Sequence, residues 1–272
     1  MRVLLTLIAD QPRASLPLNY NHAVASLIYG ILSHASVDFA SKLHDSGYES
    51  GGRRFKLFTF SRLIPFRSHV RGGRLILDDP KVELLITSPV PEFIETFVAG
   101  LFQSETFRID RTDFHLSQAE TIEPPEFSGC MSFRAVSPIT ETVREPGEKQ
   151  PRFLSVADPD QLWSEVLGRN LVRKYVALHG REPSDPRFEW AWDRNYIRQY
   201  EERGKRCSAL VSISSGGQEI KVRGWLAPFT VTGSIELIRL GFEAGFGARN
   251  SMGFGMVAFS QEKVRSENRH VL

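Results

Sequence analysis

The chain has 272 residues, of which 41% are hydrophobic and 24% are charged, and its formal net charge is +2. These values are typical of a protein that buries a core, and the length suits two domains of ordinary size. Apolar runs stay far below the roughly 18 residues that a membrane helix needs, which excludes a membrane-spanning protein. The two cysteines, Cys130 and Cys207, stand far apart, which excludes a disulfide-stapled fold and a cysteine-based zinc site. We therefore expect a protein of the reducing cytoplasm.

The first half of the chain predicts an α+β domain. Val24, Ile28 and Ile31 share the face of a helix, and Pro91 suits the first turn of another. In chain order the predicted elements are a strand over residues 2–9, helices over 21–34 and 37–44, strands over 55–62, 74–77 and 82–87, a helix from residue 91 and a strand over 114–122. This order is close to β-α-β-β-α-β, the ferredoxin-like arrangement. The Pro-Pro pair at 124–125 predicts a linker after a first domain of residues 1–123.

The second half predicts a similar domain over residues 128–272. The predicted elements are a strand over residues 131–143, a helix over 158–178, strands over 209–213 and 220–226, a helix over 234–244 and a strand over 256–260. The two middle strands flank Ser-Gly-Gly-Gln, which indicates a hairpin. The sequence therefore predicts an α+β fold of two tandem ferredoxin-like domains.

A basic stretch covers residues 50–77, where the sequence has no Asp or Glu. Its cations are Arg53, Arg54, Lys56, Arg62, Arg67, Arg71 and Arg74. A stretch of one sign creates a local positive field that suits phosphate groups. A solvated, arginine-rich surface without a ligand is the open alternative.

Glycines are concentrated in residues 241–257, GFEAGFGARNSMGFGMV. We call residues 245–255 the glycine-rich loop. Its glycines are Gly245, Gly247, Gly253 and Gly255, and Arg249, Asn250 and Ser251 lie between them. Glycine lets a backbone turn freely and lets a ligand approach closely, and successive N–H groups can bind an anion. The loop lacks the Gly-Lys-Ser/Thr of a nucleotide loop, and a plain turn between helix and strand is the alternative.

The string GFGARNSMGFGMV strongly resembles the C-terminal glycine-rich loop of the CRISPR-associated repeat-processing endoribonucleases, and PLNYNHAVASLIYGIL resembles their N-terminal segment. The resemblance covers essentially the whole chain. It implies tandem ferredoxin-like domains and metal-independent cleavage of precursor CRISPR RNA by the adjacent 2′-hydroxyl, which leaves a 5′-hydroxyl and a 2′,3′-cyclic phosphate. It implies no cofactor. The family includes monomers and dimers, and membership of an effector complex stays open.

Some members of this family use a Tyr, a His and a Lys from the first domain, in that order. The matching positions here are Tyr29, His44 and Lys56. His44 ends a predicted helix, where the helix dipole favours a protonated imidazole and therefore a general acid. A lysine near the phosphate would stabilise developing charge. A packing tyrosine, a capping histidine and an ordinary edge lysine are the structural alternatives.

RNA contacts are expected from the basic residues and the glycine-rich loop. The predicted RNA-binding residues are Arg53, Arg54, Arg203, Lys205, Gly245, Gly247, Arg249, Asn250, Ser251, Gly253 and Gly255. Arg203 and Lys205 precede the predicted hairpin, which we expect to help position the cleavage site. The first alternative function is a non-catalytic RNA-binding subunit of a CRISPR effector complex. The second is an unrelated small-molecule enzyme, for which the sequence offers no metal cluster, nucleotide loop or nucleophile motif.

Overall fold

The computed structural model describes residues 1–145, 147–215 and 218–259. The first half contains β1 (Arg2–Ala9), β2 (Ser15–Pro17), α1 (Asn21–Ala35), α2 (Val37–Asp45), β3 (Tyr48–Ser50), β4 (Arg53–Phe55), β5 (Thr59–Phe60), β6 (Ile64–Pro65), β7 (Ser68–Arg71), β8 (Arg74–Leu77), β9 (Lys81–Thr87), α3 (Pro91–Gln103), β10 (Phe107–Ile109) and β11 (Thr112–Ile122). The second half contains β12 (Cys130–Ala135), β13 (Thr142–Val143), β14 (Arg152–Phe153), α4 (Asp160–His179), β15 (Phe188–Trp192), α5 (Arg194–Glu202), β16 (Ser208–Ser215), β17 (Gln218–Trp225), β18 (Pro228–Gly233), α6 (Ile235–Ala244) and β19 (Val257–Phe259). None of the described helices is long and apolar enough to cross a lipid bilayer.

The first domain is built on a sheet of order β10-β11-β1-β9-β5. β1 lies between β11 and β9 and pairs antiparallel with both. α1 and α3 pack together, and a Cβ added to Gly100 of α3 would lie 1.9 Å from the carbonyl oxygen of Ile31 on α1. The order β11-β1-β9-β5, with α1 after β1 and α3 after β9, is ferredoxin-like. The predicted fold class is confirmed for this half.

The second domain repeats the pattern with a sheet of order β15-β18-β12-β19. α4 follows β12 and α6 follows β18, which is again the ferredoxin-like connection. Its core is aromatic: Trp163 of α4 is fully buried and stacks near Trp190 of β15, and Phe133 of β12 contacts Phe229 of β18. The chain therefore has an α+β fold of two tandem ferredoxin-like units.

The middle strands of the second sheet differ from those predicted. The sheet uses β15 and β18, whereas the predicted strands form a separate two-stranded hairpin of β16 and β17. The sequence signal for β15 was present, since Phe188, Trp190 and Trp192 alternate with exposed residues. The Gly-Gly pair at 216–217, which lies outside the described residues, was the stronger sequence signal, so the prediction chose the strands beside it instead of β15 and β18.

Two predicted strands are also interrupted. The strand predicted over 55–62 is broken between β4 and β5, where Leu57 adopts a left-handed φ of 51°. The strand predicted over 131–143 ends at Ala135, because the next residues leave the sheet and bond elsewhere: the N–H of Val136 donates to the carbonyl oxygen of Met256. The end of the last predicted strand at residue 260, and the predicted domain end at 272, lie outside the described residues.

The two domains are joined through a buried arginine. Arg2 of β1 is 2% exposed, and its Nη2 donates to the carbonyl oxygen of Val257 at 2.8 Å. Its guanidinium also stacks on the ring of Phe242, 3.9 Å from the ring centre. A cation at this depth needs such partners, so the contact fixes the first strand of one sheet against the last strand of the other.

Candidate functional site

Three side chains predicted to carry chemistry meet on the first domain. Tyr29 lies on α1, His44 lies near the end of α2, and Lys56 directly follows β4. The rings of Tyr29 and His44 meet edge to face with their centroids 5.2 Å apart. The Nζ of Lys56 donates a hydrogen bond to the backbone carbonyl oxygen of His44. The structure thus brings together residues from three segments, and we call them the candidate trio.

Tyr29 is the partly buried member of the trio. Its ring also meets the buried ring of Phe58 edge to face, with centroids 5.7 Å apart. Burial raises the pKa of the Tyr29 phenol above its ordinary value. The free protein therefore holds a neutral phenol, which can donate one hydrogen bond and accept weakly. A neutral phenol is not a base, so Tyr29 in this form can orient a substrate hydroxyl by a hydrogen bond but cannot remove its proton.

His44 is the exposed member of the trio. Its Nδ1 lies 3.0 Å from Oδ1 of Asp45, and the two side chains are 70% and 75% exposed. A substrate can therefore reach the imidazole, and salt screens the pair. If Nδ1 donates to Asp45, Nε2 is the nitrogen left for a substrate. Asp45 thus has the geometry to orient the ring.

Lys56 is held by an irregular and strained piece of backbone. Leu57, the next residue, is buried in the left-handed region, which costs a bulky side chain about 1–3 kcal/mol. Its carbonyl oxygen accepts a hydrogen bond from Oγ of Ser88 at 2.8 Å, which secures the conformation. Partial burial lowers the pKa of Lys56, and the carboxylate of Asp45 opposes that shift. The strained turn directs the ammonium group toward the end of α2.

Gly47 allows this close approach, and Gly47→Ala is expected to lower the rate of RNA cleavage. Gly47 has a φ of 61°, and an added Cβ would lie 2.5 Å from the carbonyl oxygen of Phe55 and 3.1 Å from Cδ of Lys56. Displacing Lys56 by about 1 Å predicts a loss of roughly 10- to 100-fold. The matched control is Gly52→Ala, because Gly52 has a φ of 70° but no neighbour within 4 Å of an added Cβ. Equal single-turnover rates for the two variants would contradict this prediction.

The hairpin of β3 and β4 carries the predicted cations Arg53 and Arg54, both exposed. Nη1 of Arg54 donates to the carbonyl oxygen of Asp45 at 3.3 Å, so Arg54 borders the candidate trio. The turn between β3 and β4 lies near the second domain, because a Cβ added to Gly51 would lie 3.9 Å from Nε of Arg173 on α4. The exposed cations of this hairpin therefore lie between the candidate trio and the second domain.

The glycine-rich loop is mostly buried. All four of its glycines are buried, with φ of 87°, 73°, 78° and 79° for Gly245, Gly247, Gly253 and Gly255. A Cβ at Gly247 would lie 2.4 Å from the carbonyl oxygen of Thr140. We expected the glycines to let a ligand approach closely. In the structure they let the loop pack closely against the protein itself, Gly247 and Gly255 against backbone carbonyl oxygens and Gly245 and Gly253 against side chains.

Side chains of the first domain hold this loop from one side. Nδ2 of Asn21, the first residue of α1, donates to the carbonyl oxygen of Met252 at 2.8 Å. Oγ1 of Thr59 on β5 donates to the carbonyl oxygen of Phe254 at 2.8 Å. The loop is therefore part of the contact between the domains, and its position depends on both.

The tip of the loop is the part that faces solvent. Arg249 is exposed and has a left-handed φ of 60°, and Ser251 is partly exposed. Asn250 is buried, and its Nδ2 donates to the carbonyl oxygens of Phe246 and Phe254 at 3.3 and 3.0 Å. The Asn250 side chain was predicted to offer donors to a ligand. The structure gives it a different role, because its donors brace the loop internally.

The hairpin of β16 and β17 lies against the same loop. Phe254 packs with buried side chains of the hairpin, and the N–H of Ser212 donates to Oδ1 of Asn19 at 3.2 Å, just before α1. Arg203 and Lys205 lie in the turn between α5 and β16, where Arg203 is exposed and Lys205 is partly exposed. The structure places these two cations at the base of the hairpin, on the second domain.

Two family models match the chain over most of its length. "CRISPR-associated protein Cas6, N-terminal" matches residues 15–120, and "CRISPR associated protein Cas6, C-terminal" matches residues 122–259. The chain belongs to the Cas6 family. It is 30% identical to "CRISPR-associated endoribonuclease Cas6 1" of Methanocaldococcus jannaschii, covering 99% of this chain and 96% of that one. It is 29% identical to "CRISPR-associated endoribonuclease Cas6" of Pyrococcus furiosus, covering 98% and 93%. The family resemblance of the sequence is confirmed.

Solved structures of Cas6 proteins share this fold. One titled "CRISPR associated protein Cas6" is 28% identical, has a TM-score of 0.71 and covers 96% of this chain and 99% of its own. A Cas6-related protein of Pyrococcus furiosus, at 23% identity, has a TM-score of 0.79 and covers 97% and 99%. Both alignments span the two ferredoxin-like units, so the tandem arrangement is that of the family.

Several residues around the candidate site were not singled out from the sequence. Asp45 was visible only as the neighbour of His44, and Gly47 only as one of several loop glycines. The strained Leu57 gave no signal, because no local pattern predicts a left-handed leucine. Lys174, which contacts the glycine-rich loop from below, was hidden within a helix rich in charge.

Proposed function

We propose that this chain is an endoribonuclease that cuts precursor CRISPR RNA within its repeats without using a metal ion. The names of the curated Cas6 relatives, which describe CRISPR-associated endoribonucleases, support the activity. The observation that carries the chemistry is the contact of Tyr29, His44 and Lys56. A phenol, an imidazole and an ammonium group within one accessible surface site are the groups that RNA transesterification needs.

The proposed step uses the nucleophile that RNA itself supplies. The 2′-hydroxyl attacks the adjacent phosphorus and loses its proton, the phosphorus–5′-oxygen bond breaks, and the 5′-oxygen is protonated. His44 gives the leaving oxygen its proton, and Lys56 stabilises the charge on the phosphate. Tyr29, as a neutral phenol, holds the 2′-hydroxyl by a hydrogen bond, and the proton of that hydroxyl passes to water as the new bond to phosphorus forms. The products are a 2′,3′-cyclic phosphate and a 5′-hydroxyl.

The ends of the cleaved RNA test this proposal. A repeat RNA is cut, the upstream fragments are treated with alkaline phosphatase before and after acid, and the downstream fragments are offered a 5′-label by a polynucleotide kinase that lacks 3′-phosphatase activity. We expect upstream fragments that resist alkaline phosphatase until acid opens a cyclic phosphate, and downstream fragments that accept a 5′-label directly. Fragments with 5′-phosphate and 3′-hydroxyl ends would contradict the proposed chemistry. Tight binding without cleavage of the cognate repeat would favour the non-catalytic RNA-binding subunit instead.

We propose that the RNA backbone crosses both domains along the exposed cations. Arg54 borders the trio, and the turn of the hairpin that carries Arg53 lies near Arg173 of the second domain. The tip of the glycine-rich loop adds Arg249 and Ser251, while the buried glycines and Asn250 contribute by shaping that tip. Contacts of this kind position the RNA without specifying its sequence.

Reversing the charges at the base of the β16–β17 hairpin tests whether the bound RNA extends to that part of the second domain. Arg203→Glu combined with Lys205→Glu is expected to reduce the slope of log Kd against log salt by roughly 1.4, about 0.7 for each lost contact with single-stranded RNA. The control is Arg108→Glu on β10, where Arg108 pairs with Asp113 at 2.6 Å. An unchanged slope in the double variant would remove the hairpin base from the proposed interface.

We also propose that the protein works in the cytoplasm, because both Cys130 and Cys207 are free thiols. CRISPR repeat RNA is its proposed partner. Membership of an effector complex, and the choice between monomer and homodimer, stay predictions from the family resemblance.

A further inference from the structure

A buried lysine lies beneath the glycine-rich loop. Lys174 is on α4 and its side chain is 1% exposed. Its Nζ donates to the carbonyl oxygens of Gly245 and Gly247 at 2.7 and 2.8 Å, and to Oδ1 of Asn250 at 2.8 Å. An ammonium group has three donors and no acceptor, so these three oxygens satisfy it completely.

Burying the ammonium group of Lys174 costs free energy of desolvation, so a lysine here indicates a role that an apolar side chain could not fill. Lysine is almost never fully buried, because the charge loses its hydration. Burial lowers the pKa of Lys174, and the carboxyl group of Glu141 opposes that shift. Three oxygen acceptors nevertheless match only the charged form. An apolar residue would fill the same space without the desolvation cost, but it could not hold two carbonyl groups and an amide at once.

The three hydrogen bonds from Lys174 fix the positions of both sides of the glycine-rich loop. Two of the acceptors precede the exposed tip, and the third is the side chain of Asn250, whose Nδ2 spans to the carbonyl oxygens of Phe246 and Phe254. Arg249 lies between these anchors in a left-handed conformation. A non-glycine residue keeps such a conformation only where the surrounding structure imposes it. Lys174 supplies a large part of that constraint.

We propose that Lys174 is a positioning residue for RNA binding, because it holds the glycine-rich loop in the conformation that presents Arg249 to the RNA backbone. The inference rests on the proposed function, since it assigns Lys174 to the same RNA site. Lys174 touches no substrate, and its effect passes entirely through the loop. It is therefore expected to act on affinity and not on the chemistry at the trio.

The test compares Lys174→Met, Arg249→Ala and the double variant in binding to a cognate repeat RNA. Lys174→Met keeps the chain length but loses all three hydrogen bonds. We expect each single variant to weaken binding by about tenfold, the size of one lost phosphate contact, and the double variant to be no weaker than either. The cleavage rate at saturating RNA is expected to stay within about twofold of wild type, because the trio is untouched.

A matched control separates positioning from mere stability. Leu171→Ala removes a fully buried side chain from α4, one turn before Lys174, and is expected to lower the melting temperature while leaving RNA affinity unchanged. If Lys174→Met does not fold, Asn250→Ala removes one acceptor and its brace, and it must weaken binding in the same non-additive way with Arg249→Ala. Wild-type affinity in a folded Lys174→Met protein, or additive losses in the double variant, would overturn the proposal.

Hydrogen exchange distinguishes failure of this inference from failure of the proposed function. The N–H groups of Ala248 and Gly255 donate to the carbonyl oxygens of Thr140 and Pro138, both at 2.9 Å. In Lys174→Met these amides are expected to exchange at least about tenfold faster than in Leu171→Ala. Equal exchange in the two variants would overturn the positioning role. If these amides exchange faster in Lys174→Met than in Leu171→Ala but the wild-type protein binds no repeat RNA, Lys174 still holds the loop and the proposed RNA function is wrong.

Discussion

His44→Ala is expected to reduce the single-turnover rate of repeat-RNA cleavage by roughly 10²- to 10⁴-fold, the usual contribution of a general acid. The 5′-oxygen is a poor leaving group unless it is protonated as the bond breaks. His44 is the accessible imidazole of the trio, and its Nδ1 contact with Asp45 at 3.0 Å leaves Nε2 for the RNA. Affinity for the RNA is expected to stay within about threefold, since phosphate contacts supply most of it.

The control for this variant is His34→Ala. His34 is also an exposed histidine in the last turn of a helix, but its Nδ1 lies 2.6 Å from Oγ of Ser104, away from the trio. Its loss is expected to leave the rate unchanged. Asp45→Asn should cost much less than His44→Ala, because the Asp45 contact is exposed and only orients the ring. A His44→Ala protein that cuts at the wild-type rate would remove His44 from the mechanism.

Lys56→Met is expected to lower the same rate by about 10²- to 10³-fold, as does the loss of one group that stabilises a developing oxyanion. The side chain lies against the end of α2, where its Nζ donates to the carbonyl oxygen of His44. The variant therefore loses the trio's positive charge and also loosens the position of His44. Lys42→Met on α2 is the matched control, since Lys42 is exposed and its loss leaves this contact intact.

The pH dependence of Lys56→Arg separates the charge of this side chain from its packing. Burial lowers the pKa of Lys56, so the wild-type rate is expected to fall as the pH rises through that lowered value and the ammonium group loses its proton. A guanidinium stays charged throughout this range, so the fall in Lys56→Arg should move to higher pH. Because His44 must also keep its proton to act as the acid, an identical alkaline limb in both proteins would assign that limb to His44. A Lys56→Arg rate as low as that of Lys56→Met would show that charge at this position does not support the reaction.

Local sequence patterns predicted the helices and the central strands of the first domain, but they misassigned the middle strands of the second. The helical spacing of Val24, Ile28 and Ile31 predicted α1, and the structure buries that face. In the second domain, β15 alternates as Phe188, Trp190 and Trp192 and was overlooked in favour of the hairpin. A glycine turn identifies a hairpin but does not indicate which sheet the hairpin joins. That choice depends on long-range packing of the aromatic core.

The candidate trio could be proposed from the sequence only through the family resemblance. Tyr29, His44 and Lys56 lie in different elements, and no periodicity relates one to another. Their meeting depends on Gly47 and on the left-handed Leu57, which allow the chain to fold back on the end of α2. Such close approaches are properties of tertiary structure, and a sequence shows only that glycines are available.

The burial of the glycine-rich loop also could not be predicted from the sequence. The loop's composition allowed either an anion-binding turn or a plain turn between helix and strand, and the structure buries the four glycines and exposes the tip at Arg249. Lys174 is adjacent to Arg173 in the sequence, and both are ordinary helix residues by pattern. Lys174 is buried against the loop and Arg173 is partly exposed near Gly51, because the helix turns about 100° between them.

The most direct test of the account uses two versions of one repeat RNA in the presence of EDTA, one natural and one with a single 2′-deoxy residue at the cut. We expect the protein to cut the natural RNA in EDTA and to bind the deoxy RNA equally well without cutting it. That result would establish attack by the 2′-hydroxyl without a metal ion. Cleavage of the deoxy RNA at the same position, or cleavage that returns only when Mg²⁺ is added, would contradict the proposed mechanism.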